Sequence, residues 1–427
     1  MKKSFAYAHK VCTYCLSINI EVGMLVRNTM KIALFMSVMV GMPAMAASVT
    51  TDINSEQSSK DTPMVRLSAA GQVTPMVSNA SFRQFAPKTQ TNYASIDYQV
   101  WDDALENIVL RLGQSLRIRS LRPDPIVGTR IVKGHKSGYR MEGSRVTFSY
   151  LNDEYRLGLT EYRKDLERLA NQVDITRLSR NEQLAFWFNL HNVTLIEQIA
   201  HNYPVRRPEK LLVGPNKQPL NDAKLLNIRG VSLSLRDIRE NIVYPNWSNP
   251  DVMYGFFRGN IGGPALQNYA FTSGNVDAVL KLQANDFVNS LRGVNENRRA
   301  LKVSMLYDEA RGYYFSNWPN DLTTHLRKHA NPAVMDILAK DKPVEFDRYD
   351  PIVADLLAGD RPSTQKLNLQ IDGEVQRTSI SPEIARLLRE LDQKTEIMKK
   401  RGMLKTRGTV TIDDIPTIDI DIPDETE

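Results

Sequence analysis

The sequence predicts an α+β protein: a mainly helical domain with a small β-sheet, followed by a C-terminal helix and an acidic tail. Three observations carry this. Apolar residues recur at three- and four-residue spacing through several long segments, whereas strand-like runs such as 145–148 and 301–306 are short. A proline-started, charged helical segment begins at Ser381. Residues 409–427 then hold seven acids and no base.

The N-terminus reads as a targeting segment. Residues 32–40 form an apolar core, preceded by Arg27 and Lys31 and broken by Gly41 and Pro43. Ala44-Met45-Ala46 then supplies a small-x-small cleavage pattern. The run is too short for a permanent membrane anchor. Residues 1–46 are therefore expected to be a signal peptide with an upstream segment. Met24 and Met30 would each begin a leader of ordinary length. Cleavage near Ala46 would deliver a periplasmic or secreted protein.

Export changes the meaning of the composition. The 427-residue chain has 55 basic and 49 acidic residues, and residues 1–46 hold five of the former and one of the latter. Subtraction leaves 50 and 48, a balance without the concentrated basic footprint of a nucleic-acid binder. Both cysteines, Cys12 and Cys15, precede the cleavage pattern, so the mature chain would hold neither a disulfide nor a thiol nucleophile.

Residues 47–92, rich in Ser, Thr, Gln and Asn, read as a disordered linker. The globular domain is expected over 93–345. Its first helix should span 97–117, from Ile96, Val100, Leu105, Ile108, Val109, Leu112 and Leu116, until Pro123 and Pro125 interrupt. A strand is expected at Arg145-Val146-Thr147-Phe148 and a helix at 160–172. A further helix, capped by Asn181 and running from Glu182 to His201, is apolar almost all round over 184–190 and should be buried on most sides. Asn202-Tyr203-Pro204 ends it. Ser234 should cap another helix, with Asp237 three residues on. Arg258 to Pro264 is a glycine-rich loop, residues 275–291 and 321–338 are helical, and residues 301–306 form a short strand. Residues 346–427 form a C-terminal extension, its helix over 381–401 and its acidic tail over 409–427.

Four segments together carry a resemblance: Val146-Thr147-Phe148-Ser149-Tyr150; Leu184 to Asn192 followed by Tyr203-Pro204-Val205; Gly230 to Ile238; and Gly259 to Leu266 with Phe271-Thr272 and Asn275-Val276. In order and spacing they resemble the bacterial DUF547 family, from about Val146 to Phe315. That resemblance names no activity. Many members carry Ser-Cys-Pro where this chain has Gly262-Gly263-Pro264, and Ile-Glu-His where it has Ile238-Arg239-Glu240. A thiolate and its base would need the missing Cys and His, so a cysteine-hydrolase reading does not apply.

The remaining polar residues define the candidate site. Asn189 and Asn192 share a helix face. Their amides either line a ligand pocket or clamp the backbone of a neighbouring loop, because burial without hydrogen bonds costs a few kcal/mol. Arg258 and Asn260 are the polar contacts expected if the glycine-rich loop binds a ligand, although the glycines serve close packing against the Trp187 helix equally well. His191 and Glu240, the latter at the family's His position, are the weak catalytic candidates. His325 and His329 are spaced for a metal on one helix face. With only Asp321 one turn earlier, they read as a solvated helical face, and no metal or cofactor is expected.

Two functions follow. One is a non-catalytic periplasmic module binding a protein or small-molecule ligand of the envelope. The other is a hydrolase acting on a cell-envelope amide, with a site around Asn189, Asn192, Glu240 and Asn260.

Overall fold

The computed structural model describes residues 80–403, apart from 126–129, 348–349, 364–367, 372–373 and 378–380. The expected signal peptide and acidic tail lie outside the described residues. Within them the chain is mainly helical, with small sheets of two or three strands.

The expected 97–117 helix divides. Helix α1 covers only Gln99–Ile108, and the chain continues directly as strand β1, Val109–Arg111, antiparallel to β2, Ser144–Val146. The β-branched Ile108-Val109 pair suits this change of period. Ordered structure also begins earlier than Tyr93. A 3₁₀ turn at Ala80–Phe85 places Phe82 and Phe85 in the core, and two aromatic side chains suffice to dock a segment that is otherwise polar.

Helix α2, Asp153–Gln172, starts at Asn152, whose side chain accepts from Tyr155 N. It packs along α3, Arg180–His201. The cap of α3 is Ser179 rather than Asn181: its hydroxyl accepts from Glu182 N, the usual Ncap geometry. Asn181 instead points its amide to Asp277. Eighteen of the 22 residues of α3 are buried.

Two small hairpins follow, β3 (Leu212–Val213) with β4 (Gln218–Pro219) and β5 (Leu226–Ile228) with β6 (Val231–Leu233). Ser234 and Asp237 then form the anticipated reciprocal cap. Asp237 N donates to Ser234 Oγ at 3.1 Å, and Ser234 N donates to Asp237 Oδ2 at 2.7 Å. The helix they open, Asp237–Val243, is a π-helix, a rare conformation often found at functional sites.

A 3₁₀ turn at Pro250–Gly255 leads into the glycine-rich loop. Helix α4 (Val276–Val288) precedes a three-stranded sheet of β7 (Val294–Glu296), β8 (Leu301–Val303) and β9 (Val344–Phe346), the last pair parallel. Between β8 and β9 lie α5 (Leu306–Tyr314), α6 (Asn320–His329) and α7 (Pro332–Leu338). The 321–338 helix expected as one piece is thus two, because Pro332 disfavours helical backbone at the residue before it.

The segment after β9 returns to the core. Val353, Ala354 and Asp355 are at most 1% exposed, and Val146 N donates to Ala354 O at 2.8 Å. Strands β10 (Asn368–Ile371) and β11 (Glu374–Arg377) form a hairpin. Helix α8, Pro382–Lys400, rests Ile384 and Leu387 on Leu356 and Leu357. Its Lys394 ammonium donates to the carbonyls of Leu112, Gly113 and Met141. Residues assigned to a C-terminal extension by sequence therefore complete the packing of the helical unit.

Trp187 is 1% exposed and meets Phe85 and Phe186 edge-on, with ring centroids 5.6 and 5.1 Å away. Trp187→Ala is expected to destabilise the fold by about 3–5 kcal/mol. Denaturant unfolding measures this; a loss below about 1 kcal/mol would contradict the buried position.

Candidate functional site

The two asparagines of α3 hold loops. Asn189 donates to Phe271 O at 2.7 Å and accepts from Phe271 N at 3.1 Å. Asn192 donates to Gly255 O at 3.0 Å and accepts from Phe257 N at 3.0 Å. Each amide imitates a strand partner, engaging both polar groups of a buried segment that no sheet covers. Of the two readings of these amides, the geometry is that of the backbone clamp.

The glycine-rich loop packs as the glycines require. Gly259 has φ +74°, and a Cβ there would stand 2.7 Å from Cδ1 of Ile199 on α3. A Cβ on Gly262 would stand 2.6 Å from the backbone nitrogen of Asp350. The loop's own amides are engaged by the returning segment. Ile261 N donates to Ile352 O at 2.8 Å and Gly262 N to Asp350 O at 3.0 Å, while Ala354 N donates to Gly259 O at 2.9 Å. Asn260 closes the turn by accepting from Gly263 N at 2.9 Å.

Arg258, by contrast, enters a buried charged network. Glu309 on α5 presents Oε1 to Arg258 Nη2 at 2.5 Å, to Arg239 Nε at 3.2 Å and to the Tyr244 hydroxyl at 3.1 Å. Arg239, 2% exposed and carried by the π-helix, also donates to Asn221 Oδ1 at 3.1 Å and to His191 Nε2 at 3.1 Å. His191 Nδ1 faces Asn192 Oδ1 at 3.0 Å. An arginine can only donate, so Nε2 must accept and the proton sits on Nδ1. Burial, and then Arg239 and Arg258, push His191 well below the usual histidine range. This imidazole is neutral, with its acceptor nitrogen engaged by a cation, and is poorly placed as a general base. Burial would raise Glu309, but Arg239 and Arg258 hold its carboxyl well below the usual range.

Glu240 borders this network without joining it. Its carboxylate pairs with Arg236 at 3.2 Å, and burial followed by the nearby Glu309 charge raises its pKa. Of the six residues singled out by sequence, the structure links His191 and Arg258 through Arg239 and Glu309. Asn192 holds main chain and also meets His191 of this network, while Asn189 and Asn260 are bonded to main chain elsewhere.

A second polar cluster forms where α6 meets the Pro250–Gly255 turn. His325 and His329 are 7% and 5% exposed, so they do not form the expected solvated face. Helix α6 turns them inward against the Pro250–Gly255 turn because Leu322 and Leu326 lie on the same apolar stripe. His329 Nε2 stands 2.8 Å from Asp251 Oδ1, and His325 Nδ1 stands 3.9 Å from the same oxygen. Burial lowers His325 to about 4 against the opposing pull of Asp251. The histidine spacing was visible in the sequence. Asp251, some 75 residues away, carried no signal.

An open groove of about 440 Å³ runs between residues 95–102 and 270–272, with Ser95, Asp97, Gln99, Asp102 and Thr272 among its lining. Its lining is acidic and polar.

The shared carboxylate of Glu309 generates a stability prediction. Removing one partner from a buried ion network leaves uncompensated charge. Glu309→Gln is expected to cost about 3–5 kcal/mol at neutral pH. Because the folded pKa is depressed, this contribution is present above the unfolded value of about 4.3 and fades as pH falls below it. Denaturant unfolding of both proteins along a pH series should show the difference shrinking in acid. A difference independent of pH would contradict the assignment.

No curated protein and no solved structure matches the chain. Residues 175–288 match the family model DUF547, described as a protein of unknown function, and that stretch contains α3, the π-helix and the glycine-rich loop.

Proposed function

We propose that the chain is an exported, non-catalytic module that binds a protein or small-molecule ligand in the cell envelope. Support for export comes from the sequence: the apolar core at 32–40 with Ala44-Met45-Ala46 behind it. Among the described residues, no helix is long and apolar enough to cross a membrane.

One observation carries the binding reading over the hydrolytic one. The polar groups from which a hydrolase site would be assembled are engaged inside the protein. Asn189 and Asn192 hold main chain, Asn260 closes its own turn, and the amides of Ile261 and Gly262 pair with residues 350–352. A general base must reach its substrate's proton within hydrogen-bond distance, and Glu240 faces Arg236. The family resemblance implies a Cys and a His where this chain has Gly263 and Glu240, which agrees with this reading. The acidic groove beside α1 is the natural contact surface in this reading, and its exposed Asp97 favours a ligand rich in donors or positive charge.

Protein recovered from the periplasmic fraction is expected to begin at Ala47; a retained leader or a purely cytoplasmic product would contradict export. The mature protein should release no product from peptidoglycan-derived amides, and Glu240→Gln should leave that background unchanged. Turnover that Glu240→Gln abolishes would establish the hydrolase instead.

A further inference from the structure

We propose that Asp251, His325 and His329 form a binding site for one divalent transition-metal ion of the zinc class. One ligand atom from each lies within 4.8 Å of the others, and all three residues are buried.

The hydrogen bonds on the far side of each ring carry the argument. His325 Nε2 lies 2.8 Å from the Tyr254 hydroxyl, and that hydroxyl donates onward to Tyr307 at 3.2 Å. In the proposed site Tyr254 gives its proton to Tyr307 and accepts from His325, so that Nε2 carries the ring proton. Nδ1 then points an unshared pair toward Asp251. His329 behaves alike: Nδ1 donates to the side-chain oxygen Oδ1 of Asn285 at 2.9 Å, which leaves Nε2 turned to Asp251. Two imidazole lone pairs and a carboxylate oxygen thus converge on one buried space. Three acceptors repel unless a cation stands among them. Lys328 Nζ, 3.3 Å from Oδ2, satisfies only the opposite oxygen of Asp251.

The spacing also fits. In a tetrahedral site with bonds of about 2.0–2.2 Å, neighbouring donors stand about 3.3 Å apart. The Asp251–His329 contact at 2.8 Å would open and the Asp251–His325 contact at 3.9 Å would close, each by about half an ångström. The two imidazole nitrogens, within 4.8 Å of one another, would close by up to about 1.5 Å to reach the same spacing, which asks for rotation of both rings. Two imidazoles and one carboxylate suit zinc or its first-row neighbours better than the oxygen-seeking calcium or magnesium. Tyr254 and Asn285 are the outer partners that commonly fix a ligating ring and its tautomer. With α6 and the Pro250–Gly255 turn joined through the ion, its role would be structural.

The competing arrangement places a second proton on His329, making an imidazolium–carboxylate pair without any metal. Metal titration of the untagged mature protein separates the two. Elemental analysis after purification is expected to find about one zinc per chain, and excess chelator to lower the melting temperature by several degrees, reversed by one equivalent of Zn²⁺. Cobalt(II) added to the stripped protein should give visible absorption of a tetrahedral centre. Asn285→Ala, which removes an outer partner only, should weaken zinc binding by about 10–100-fold. Asp251→Asn should abolish it, while His201→Ala, on the exposed end of α3, should not. If Asp251→Asn does not fold, the wild-type titration and Asn285→Ala still decide. A wild-type protein that retains no zinc, and whose melting temperature responds to neither chelator nor Zn²⁺, would overturn the proposal. Full zinc binding by a folded Asp251→Asn variant would overturn it equally.

Discussion

A helix surrounded by protein on nearly every side sets the terms for the rest of this molecule. With 18 of its 22 residues buried, α3 has almost no contact with water. An unpaired buried polar group costs about 1–3 kcal/mol, and among the buried side-chain atoms of α3 Gln183 Oε1 alone is left without a hydrogen-bond partner in the described residues. The surrounding segments are placed accordingly. Glu182 receives Ile96 N, the Gln183 amide donates to Thr176 O and Leu178 O, and Glu197 receives Arg163. Asn189 and Asn192 fix two loops, and His191 fixes Arg239. Much of the architecture can be understood as the set of groups that make this helix tolerable in a dry interior.

The same constraint explains why the DUF547 segment presents so little surface chemistry. The glycine-rich loop approaches α3 so closely that Gly259 has no room for a side chain. On its other side it pairs with residues 350–354, which arrive from beyond the matched segment. A loop gripped from both sides cannot offer its amides to an anion. Residues 353–358 are buried behind the stretch that pairs with the loop, and α8 in turn covers Leu356 and Leu357.

The two buried polar clusters differ in charge balance. Around Glu309, two guanidiniums share one carboxylate, and the excess positive charge is eased by uncharged acceptors, Asn221 and the neutral His191. Around Asp251, acceptors converge on one another, and the exposed Lys328 reaches only one carboxylate oxygen. The first cluster closes with the side chains present. The second gathers two imidazoles around one carboxylate, and it is there that the proposed metal site lies.

How much of this was legible in the sequence depended on the range of the interaction. Local rules identified the mainly helical fold, the burial of the Trp187 helix, the Ser234–Asp237 cap and the strand at Val146, because periodicity and capping act within a few residues. The DUF547 resemblance was legible from motif order, and of the two readings of the loop glycines, Gly259 fits close packing on α3 while Gly262 packs on Asp350. Smaller local competitions were misjudged: Ser179 outbid Asn181 as a cap, and the helix after Gln99 gave way to a strand at Val109. What only the tertiary structure decided was the partner of each buried polar group. His325 and His329 looked like a solvated face because nothing nearby in the chain announced Asp251. Arg239 and Arg258 were separate cations until α5 placed Glu309 between them. A helix's period shows which residues face inward, but the electrostatic identity of the interior they face is assembled from distant segments, and that assembly turned an unremarkable pair of histidines into the most chemically distinctive part of the molecule.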